Sequence, residues 1–378
     1  MKNIENLEYK QLKLMQHLEL AGEKFFRIKI NTELSPIGWH IVHCLYVECF
    51  WIRSYFLGDN ELVDKLKKTA DSISNSKKNR GLNLPDFNVL FSFCKDEFKT
   101  NLNIIEDLLN KKNKENIIYF LSFLINHHSQ HLETIKIIMN LINIKINKNT
   151  EENFSTIEPQ EYKYNPVNFD EQIILIGTNH NKPFSYDNEK PQNEVKLKEF
   201  SIDKNLIQVN QWLGFMISGG YRKKDYWSKK GWLWKNKNNI LKPLNWQLED
   251  NQISISTPYG YKKPKKNNAV TNISFYELEA FANWQKLKIP HEYEWETASE
   301  KLLNKFIVWE WSRNLFFPYN GFNAYPYEEY SSPWFNKDYY SLKGSSSYSE
   351  KEVKRITFRN FYKPNSRYIF SGGRLSLN

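Results

Sequence analysis

The chain has 378 residues, three cysteines and a formal net charge of +10. That length supports two or three domains with sizeable cores, and an odd set of cysteines (Cys44, Cys49, Cys94) without a spacing pattern excludes a disulfide framework in favour of reduced thiols. The basic balance permits nucleic-acid binding, yet the lysines fall in Lys/Asn runs such as Lys111-Lys112-Asn113-Lys114 and Lys262-Lys263-Pro264-Lys265-Lys266-Asn267-Asn268, without a nucleic-acid module around them, and read as solvated loops.

The start, Met1-Lys2-Asn3-Ile4-Glu5-Asn6, lacks the order of a signal peptide. The longest apolar run, Ile117 to Ile125, is too short to cross a bilayer. The expectation is a soluble, cytoplasmic protein with no membrane and no nucleic-acid partner.

Apolar residues at three-to-four spacing predict helices over 7–20, 36–57, 86–109 and 116–144, and hence a four-helix bundle over residues 1–144. Ser35-Pro36 reads as a cap followed by proline at the first helical position, Gly58-Asp59-Asn60 ends the second helix, and Leu84-Pro85-Asp86 opens the third. Between them, Asp71 to Asn83 is polar and reads as a long loop that carries Lys77, Lys78 and Arg80.

The fourth helix holds Asn126-His127-His128-Ser129-Gln130-His131. His127 and His131 share one face a single turn apart, so two imidazoles can bind one metal ion, while His128 points elsewhere. The second helix carries His40 and His43, and either completes a three-histidine face. Imidazole suits iron, zinc, copper and nickel alike, so the cluster alone does not name the metal.

From 145 to 166 the chain is polar without a helical stripe and reads as a linker. Residues 167–378 have a different composition, with ten of the twelve tryptophans beyond residue 200. Short β-rich segments (172–177, 253–256) and two short helices (209–217, 274–287) predict an irregular α+β domain.

This second half contains, in order, Phe184-Ser185-Tyr186-Asp187-Asn188-Glu189-Lys190-Pro191, Val209-Asn210-Gln211-Trp212, Gly219-Gly220-Tyr221-Arg222, Ser274-Phe275-Tyr276-Glu277, Pro290-His291-Glu292-Tyr293-Glu294-Trp295, Trp309-Glu310-Trp311, Arg359-Asn360-Phe361 and Ser371-Gly372-Gly373-Arg374. The series resembles the formylglycine-generating-enzyme-like (sulfatase-modifying factor) domain, which has a C-type-lectin-like fold. Joined to a DinB-like four-helix bundle, the whole resembles the nonheme-iron sulfoxide synthases of ergothioneine biosynthesis, the EgtB type, with their selenoneine and ovothiol synthase relatives. Formylglycine-generating enzymes use a cysteine pair in this fold; here residues 95–378 contain no cysteine, which excludes that chemistry.

The resemblance implies an Fe(2+) site on His43, His127 and His131, and a reaction that uses O2 to join cysteine or a related thiol to hercynine (N-α-trimethylhistidine) as a sulfoxide. It places Gln130 and Asn360 at the trimethylhistidine, Phe361 as an apolar wall, and Arg80 and Lys77 at the carboxylate of the thiol substrate. Tyr327 is the implied catalytic tyrosine and Tyr330 the reserve. Tyr362 stands where users of γ-glutamylcysteine have aspartate, which favours free cysteine or another small sulfur or selenium donor. A downstream PLP-dependent lyase is the partner that such a product implies.

Several positions depart from the family pattern: Asn272 replaces a histidine, Lys343-Gly344-Ser345-Ser346 replaces Arg-Gly-Gly-Ser, and Phe306-Ile307 replaces Gly-Asn. None touches the three implied ligands. Rival readings are a selenoneine synthase that takes a selenosugar, an ovothiol-type enzyme that takes histidine, and, in another class, a noncatalytic protein that binds a small cationic ligand among its aromatic side chains.

Overall fold

The computed structural model describes residues 2–110, 114–180 and 184–377; Lys111-Lys112-Asn113 of the first basic run lies outside them. The chain divides into two compact units, Met1–Ile146 with Ser349–Val353, and Asn147–Tyr348 with Lys354–Asn378. It is a multidomain α and α+β protein. No helix among the described residues is long and apolar enough to cross a membrane.

The first unit is built on helices α1 (Lys2–Phe25), α2 (Ile37–Cys49), α3 (Glu61–Ala70), α4 (Phe87–Leu109) and α5 (Lys114–Ile146). The four long ones pack side by side, α1 against α4 and α5 and α2 against all three. Leu7, Leu14, Leu18 and Ala21 form the buried stripe of α1, at the spacing that keeps side chains on one helical face.

The second predicted helix, 36–57, is interrupted. Regular α-helix ends at Cys49 and continues as a π-helical turn over Phe50–Tyr55. Buried Arg53 on this turn donates to Asn101 (2.7 Å) and Glu97 (2.5 Å) of α4. Ser35 makes no side-chain cap, and helix α2 begins at Ile37 with Pro36 extended just outside it. The Ser35 hydroxyl is turned instead to Arg80, 3.3 Å away.

Helix α3 was not predicted. Its apolar stripe is only Val63, Leu66 and Ala70, set among acidic and basic side chains. The stretch 71–83 contains no regular element, as expected for a loop. Gly81 adopts φ +96°, and a Cβ there would lie 2.6 Å from Pro36 Cγ, so only glycine fits the corner.

The second unit holds β1 (Ser155–Thr156), β2 (Pro166–Phe169), β3 (Gln172–Ile176), β4 (Asn193–Leu197), β5 (Phe200–Asp203), α6 (Val209–Ile217), α7 (Lys229–Lys237), β6 (Trp246–Glu249), β7 (Gln252–Thr257), β8 (Gly260–Lys262), α8 (Phe275–Gln285), α9 (Glu292–Ala298), β9 (Trp309–Leu315), β10 (Tyr340–Lys343), β11 (Asn360–Tyr362), β12 (Ser371–Gly372) and β13 (Ser376–Leu377). The strands form small separate sheets, among them β11-β10-β9-β12, β13-β5-β2 and the hairpin β3-β4. The predicted linker 145–166 is not free chain. Helix α5 runs to Ile146, and β1 pairs antiparallel with β7, because Ser155 and Thr156 satisfy their backbone groups against Ile253 and Gln252.

With so little regular sheet, buried ion pairs and stacked aromatics join the segments. Arg359 makes a two-nitrogen contact with Glu292 (2.8 Å each), and Arg374 holds Glu310 (2.6 and 3.0 Å). Lys343 reaches Glu296 at 2.7 Å, and Trp212 stacks on Phe281 with centroids 5.1 Å apart. Two of the pairs join motifs recognised in the sequence, Glu292 with Arg359 and Glu310 with Arg374.

Candidate metal centre

Side chains from α2 and α5 converge inside the first unit. His43, His127 and His131 each place a ring nitrogen within 4.8 Å of the other two. The Nε2 atoms of His127 and His131 are 3.2 Å apart. A metal with imidazole nitrogens at about 2.0–2.1 Å holds neighbouring donors roughly 3 Å apart, which this spacing matches.

Burial keeps these rings neutral. Loss of hydration lowers His43 to about 4 and His40 to about 3, and it holds His127 and His131 well below the usual histidine value, with the neighbouring imidazoles acting in the same direction. Neutral imidazole is the ligating form.

The supporting contacts are specific. His43 Nδ1 lies 2.8 Å from the Ala70 carbonyl at the end of α3. A carbonyl only accepts, so the proton sits on Nδ1 and Nε2 keeps its lone pair. Trp39 stacks on the same ring at 4.6 Å, and the Arg80 guanidinium covers the indole at 4.3 Å. His131 Nδ1 faces His40 Nδ1 at 2.8 Å, and His127 Nδ1 faces His128 Nδ1 at 3.4 Å. His128 in turn reaches Glu48 at 2.6 Å, both fully buried.

This donor set fits Fe(2+). Three neutral ring nitrogens would ligate the cation, and the close approach of His127 and His131 Nε2 is one that it would bridge favourably. A second buried trio, Cys44, His127 and His128, also lies within 4.8 Å, but burial raises the Cys44 thiol well above its ordinary range.

The remaining predicted site residues belong to both units. Gln130 is half-buried on α5 between the ligands. Arg80 donates to the carbonyls of Asn75 (3.0 Å) and Ser72 (2.6 Å) and to Ser35, so it organises its own loop and approaches the histidines through Trp39. Lys77 is not drawn to the cluster; it makes an exposed 3.4 Å ion pair with Glu33.

In the second unit, Tyr327 precedes and Tyr330 ends a short 3-10 turn, their rings 6.5 Å apart, and Tyr330 stacks on Tyr186 at 4.2 Å. Burial raises the Tyr327 phenol, so its proton stays on at any working pH. Asn360, Phe361 and Tyr362 form β11. Phe361 stacks on Phe316 at 4.3 Å, and the Asn360 side-chain oxygen accepts from the Phe361 N–H at 2.9 Å.

Sequence reasoning missed the roles of Glu48, His128 and the Ala70 carbonyl. The visible signal was Glu48 itself, a carboxylate inside the apolar run Leu45-Tyr46-Val47-Glu48-Cys49, where burial demands a partner. The expectation that His128 points elsewhere is incomplete, since one nitrogen faces His127.

Comparison with known proteins places this geometry in context. Residues 158–306 match the family described as the sulfatase-modifying factor enzyme 1-like domain. The chain is 24% identical to the hercynine oxygenase of Mycolicibacterium smegmatis over 430 residues, covering 96% of this chain and 98% of that protein. It is 28% identical over 244 residues to the hercynine oxygenase of Mycobacterium tuberculosis, an alignment that spans 52% of this chain and 56% of that protein. It is also 22% identical over 230 residues to the ergothioneine biosynthesis protein 1 of Schizosaccharomyces pombe, covering 52% of this chain and 28% of that protein.

Proposed function

We propose that the chain is an EgtB-type sulfoxide synthase, an oxidoreductase with a formylglycine-generating-enzyme-like domain, that uses Fe(2+) and O2 to couple hercynine with cysteine or a related small thiol. The observation that carries the reading is the trio His43, His127 and His131, with ring nitrogens within 4.8 Å, in a chain similar along 96% of its length to a hercynine oxygenase. A C–S bond forms at imidazole carbon 2, one oxygen atom enters the sulfoxide, and the other leaves as water with the C–H and S–H hydrogens.

His43, His127 and His131 would hold the iron, which would supply one-electron chemistry. Gln130, beside the ligands, orients hercynine. Asn360 receives the betaine carboxylate, and Phe361 excludes water from it. Arg80 has three of its five N–H donors engaged in its loop, which leaves two for the carboxylate of the thiol. Lys77 adds charge as a surface residue. Tyr327 keeps its proton and delivers it in the reaction, with Tyr330 as the alternative donor. Tyr362 in place of a carboxylate directs the site to a small donor, and the sulfoxide is then a substrate for a PLP-dependent lyase.

The test is anaerobic Fe(2+) reconstitution of the full chain, followed by mass spectrometry of aerated mixtures of hercynine with cysteine, γ-glutamylcysteine or a selenosugar, and of histidine with cysteine. The expected product has the mass of hercynine plus cysteine, less two hydrogens, plus one oxygen, and His127→Ala abolishes it. A selenosugar or histidine product reassigns the substrates. Hercynine binding without oxygen uptake refutes the enzyme reading.

A further inference from the structure

We propose that His128, oriented by Glu48, is a positioning residue that fixes the proton of His127 on Nδ1 and so keeps His127 Nε2 open as a ligand. The inference deepens the metal-site reading and depends on it for its consequence, while the hydrogen-bond chain itself is a property of the metal-free protein.

The chain begins in a fully buried carboxylate. Glu48 accepts from Gln11 Nε2 of α1 at 2.9 and 3.0 Å and from Asn101 Nδ2 of α4 at 3.0 Å. Both partners are N–H donors, so Glu48 is the acceptor of this cluster, and His128 Nε2 at 2.6 Å supplies a further proton. In the arrangement proposed, His128 is neutral, gives its one N–H to Glu48 and presents a lone pair at Nδ1. That atom faces His127 Nδ1 at 3.4 Å. Two lone pairs there would repel in a medium with no water to separate them, so His127 carries its proton on Nδ1 and donates it. Its Nε2 is left bare, 3.2 Å from His131 Nε2.

The three ligands are therefore supported in different ways. His43 is set by a backbone carbonyl and His127 by the Glu48–His128 pair. His131 Nδ1 faces His40 Nδ1 at 2.8 Å. Partners beyond the ligands are the usual means of orienting ligating histidines, and their loss costs about 10–100-fold in metal affinity.

Long-range proton–nitrogen NMR of the metal-free, histidine-labelled full chain reads the tautomer directly. Wild type is expected to show His127 protonated on Nδ1. In His128→Leu the His127 proton moves to Nε2, and Co(II) affinity falls by about 10–100-fold. His128→Asn, whose side-chain oxygen can accept in place of Nδ1, is expected to restore both. If the leucine variant does not fold, Glu48→Gln decides: its ambiguous amide is expected to give a mixed His127 tautomer and an intermediate Co(II) affinity. An Nε2 proton on His127 in the wild type overturns the proposal. So does a folded His128→Leu or Glu48→Gln protein with unchanged tautomer and Co(II) affinity, because a merely structural role would lower stability alone. A wild type with the Nδ1 proton that couples no substrate refutes the proposed function and leaves this inference standing.

Discussion

Acidifying the metal-free protein should destabilise its first unit well above the pH at which carboxylates protonate. His43 titrates at about 4 in the folded chain because burial strips its hydration, against 6.5 when unfolded. The folded state refuses a proton that the unfolded state accepts, so stability is complete above about pH 6.5 and is lost as the pH falls toward 4. At about 1.36 kcal/mol per unit, His43 alone costs about 2 kcal/mol at pH 5 and about 3 kcal/mol at pH 4. His40, His127 and His131 are lowered by the same burial and add to the loss. Glu350, which Lys136 and Lys10 hold at about 2, contributes its own loss only below about 4.5 and leaves the upper window to the histidines. The assay is urea unfolding of chelator-treated protein at pH 7 and pH 5, followed by helix content, with His43→Gln as comparison. A fall at pH 5 of at least about 2 kcal/mol, reduced in His43→Gln, is expected. Equal stability at the two pH values would mean that the cluster is hydrated, and the argument from burial would fail.

Metal removal gives a second prediction: Co(II) at one hundred times its dissociation constant should stabilise the first unit by about 2.7 kcal/mol, reversibly with chelator and not in His127→Ala. Thermal melts with and without Co(II) check it. In the second unit, Arg359→Ala leaves Glu292 buried without its two-nitrogen partner and should cost about 3–5 kcal/mol, whereas Arg359→Met with Glu292→Leu should recover most of the loss. Urea unfolding of the two variants separates a buried ion pair that determines fold from one that determines stability.

Periodicity made the four long helices legible, because each carries an apolar stripe over three or more turns. It failed at α3, where Val63, Leu66 and Ala70 are too few to stand out, and with α3 went the carbonyl that orients His43. The i, i+4 pair His127 and His131 was visible from helical geometry alone. The choice of His43 over His40 came from resemblance; in the structure His43 stands in the trio and His40 bonds behind His131. What spacing does not encode is which ring nitrogen faces which partner, and that decides ligation. In the second half the motif residues were recognisable as a series, yet their pairings, Glu292 with Arg359 and Glu310 with Arg374, span 67 and 64 residues and follow no local rule.

The same long-range logic decides where the helical unit can be cut. A boundary at residue 144 or 146 leaves out Ser349–Val353, which belongs to the first unit. Lys10, 1% exposed, sits 2.9 Å from Glu350 and 2.7 Å from Glu352, and Lys136 lies 2.9 Å from Glu350. Ser349 donates to Glu133 at 2.5 Å. A fragment of residues 1–146 therefore strips buried ammonium groups of their carboxylates, a loss of about 3–5 kcal/mol per buried pair, against a total of about 5–15 kcal/mol for a typical domain. The fragment should be largely unfolded at neutral pH, and Lys10→Met with Lys136→Met should recover helix content without restoring any contact, because the two ammonium groups that lose their carboxylates are then gone. Circular dichroism and urea unfolding compare the two fragments. Were the unsubstituted fragment as stable as the same unit in the full chain, the ion pairs would be incidental, and the helical unit would be complete without residues 349–353.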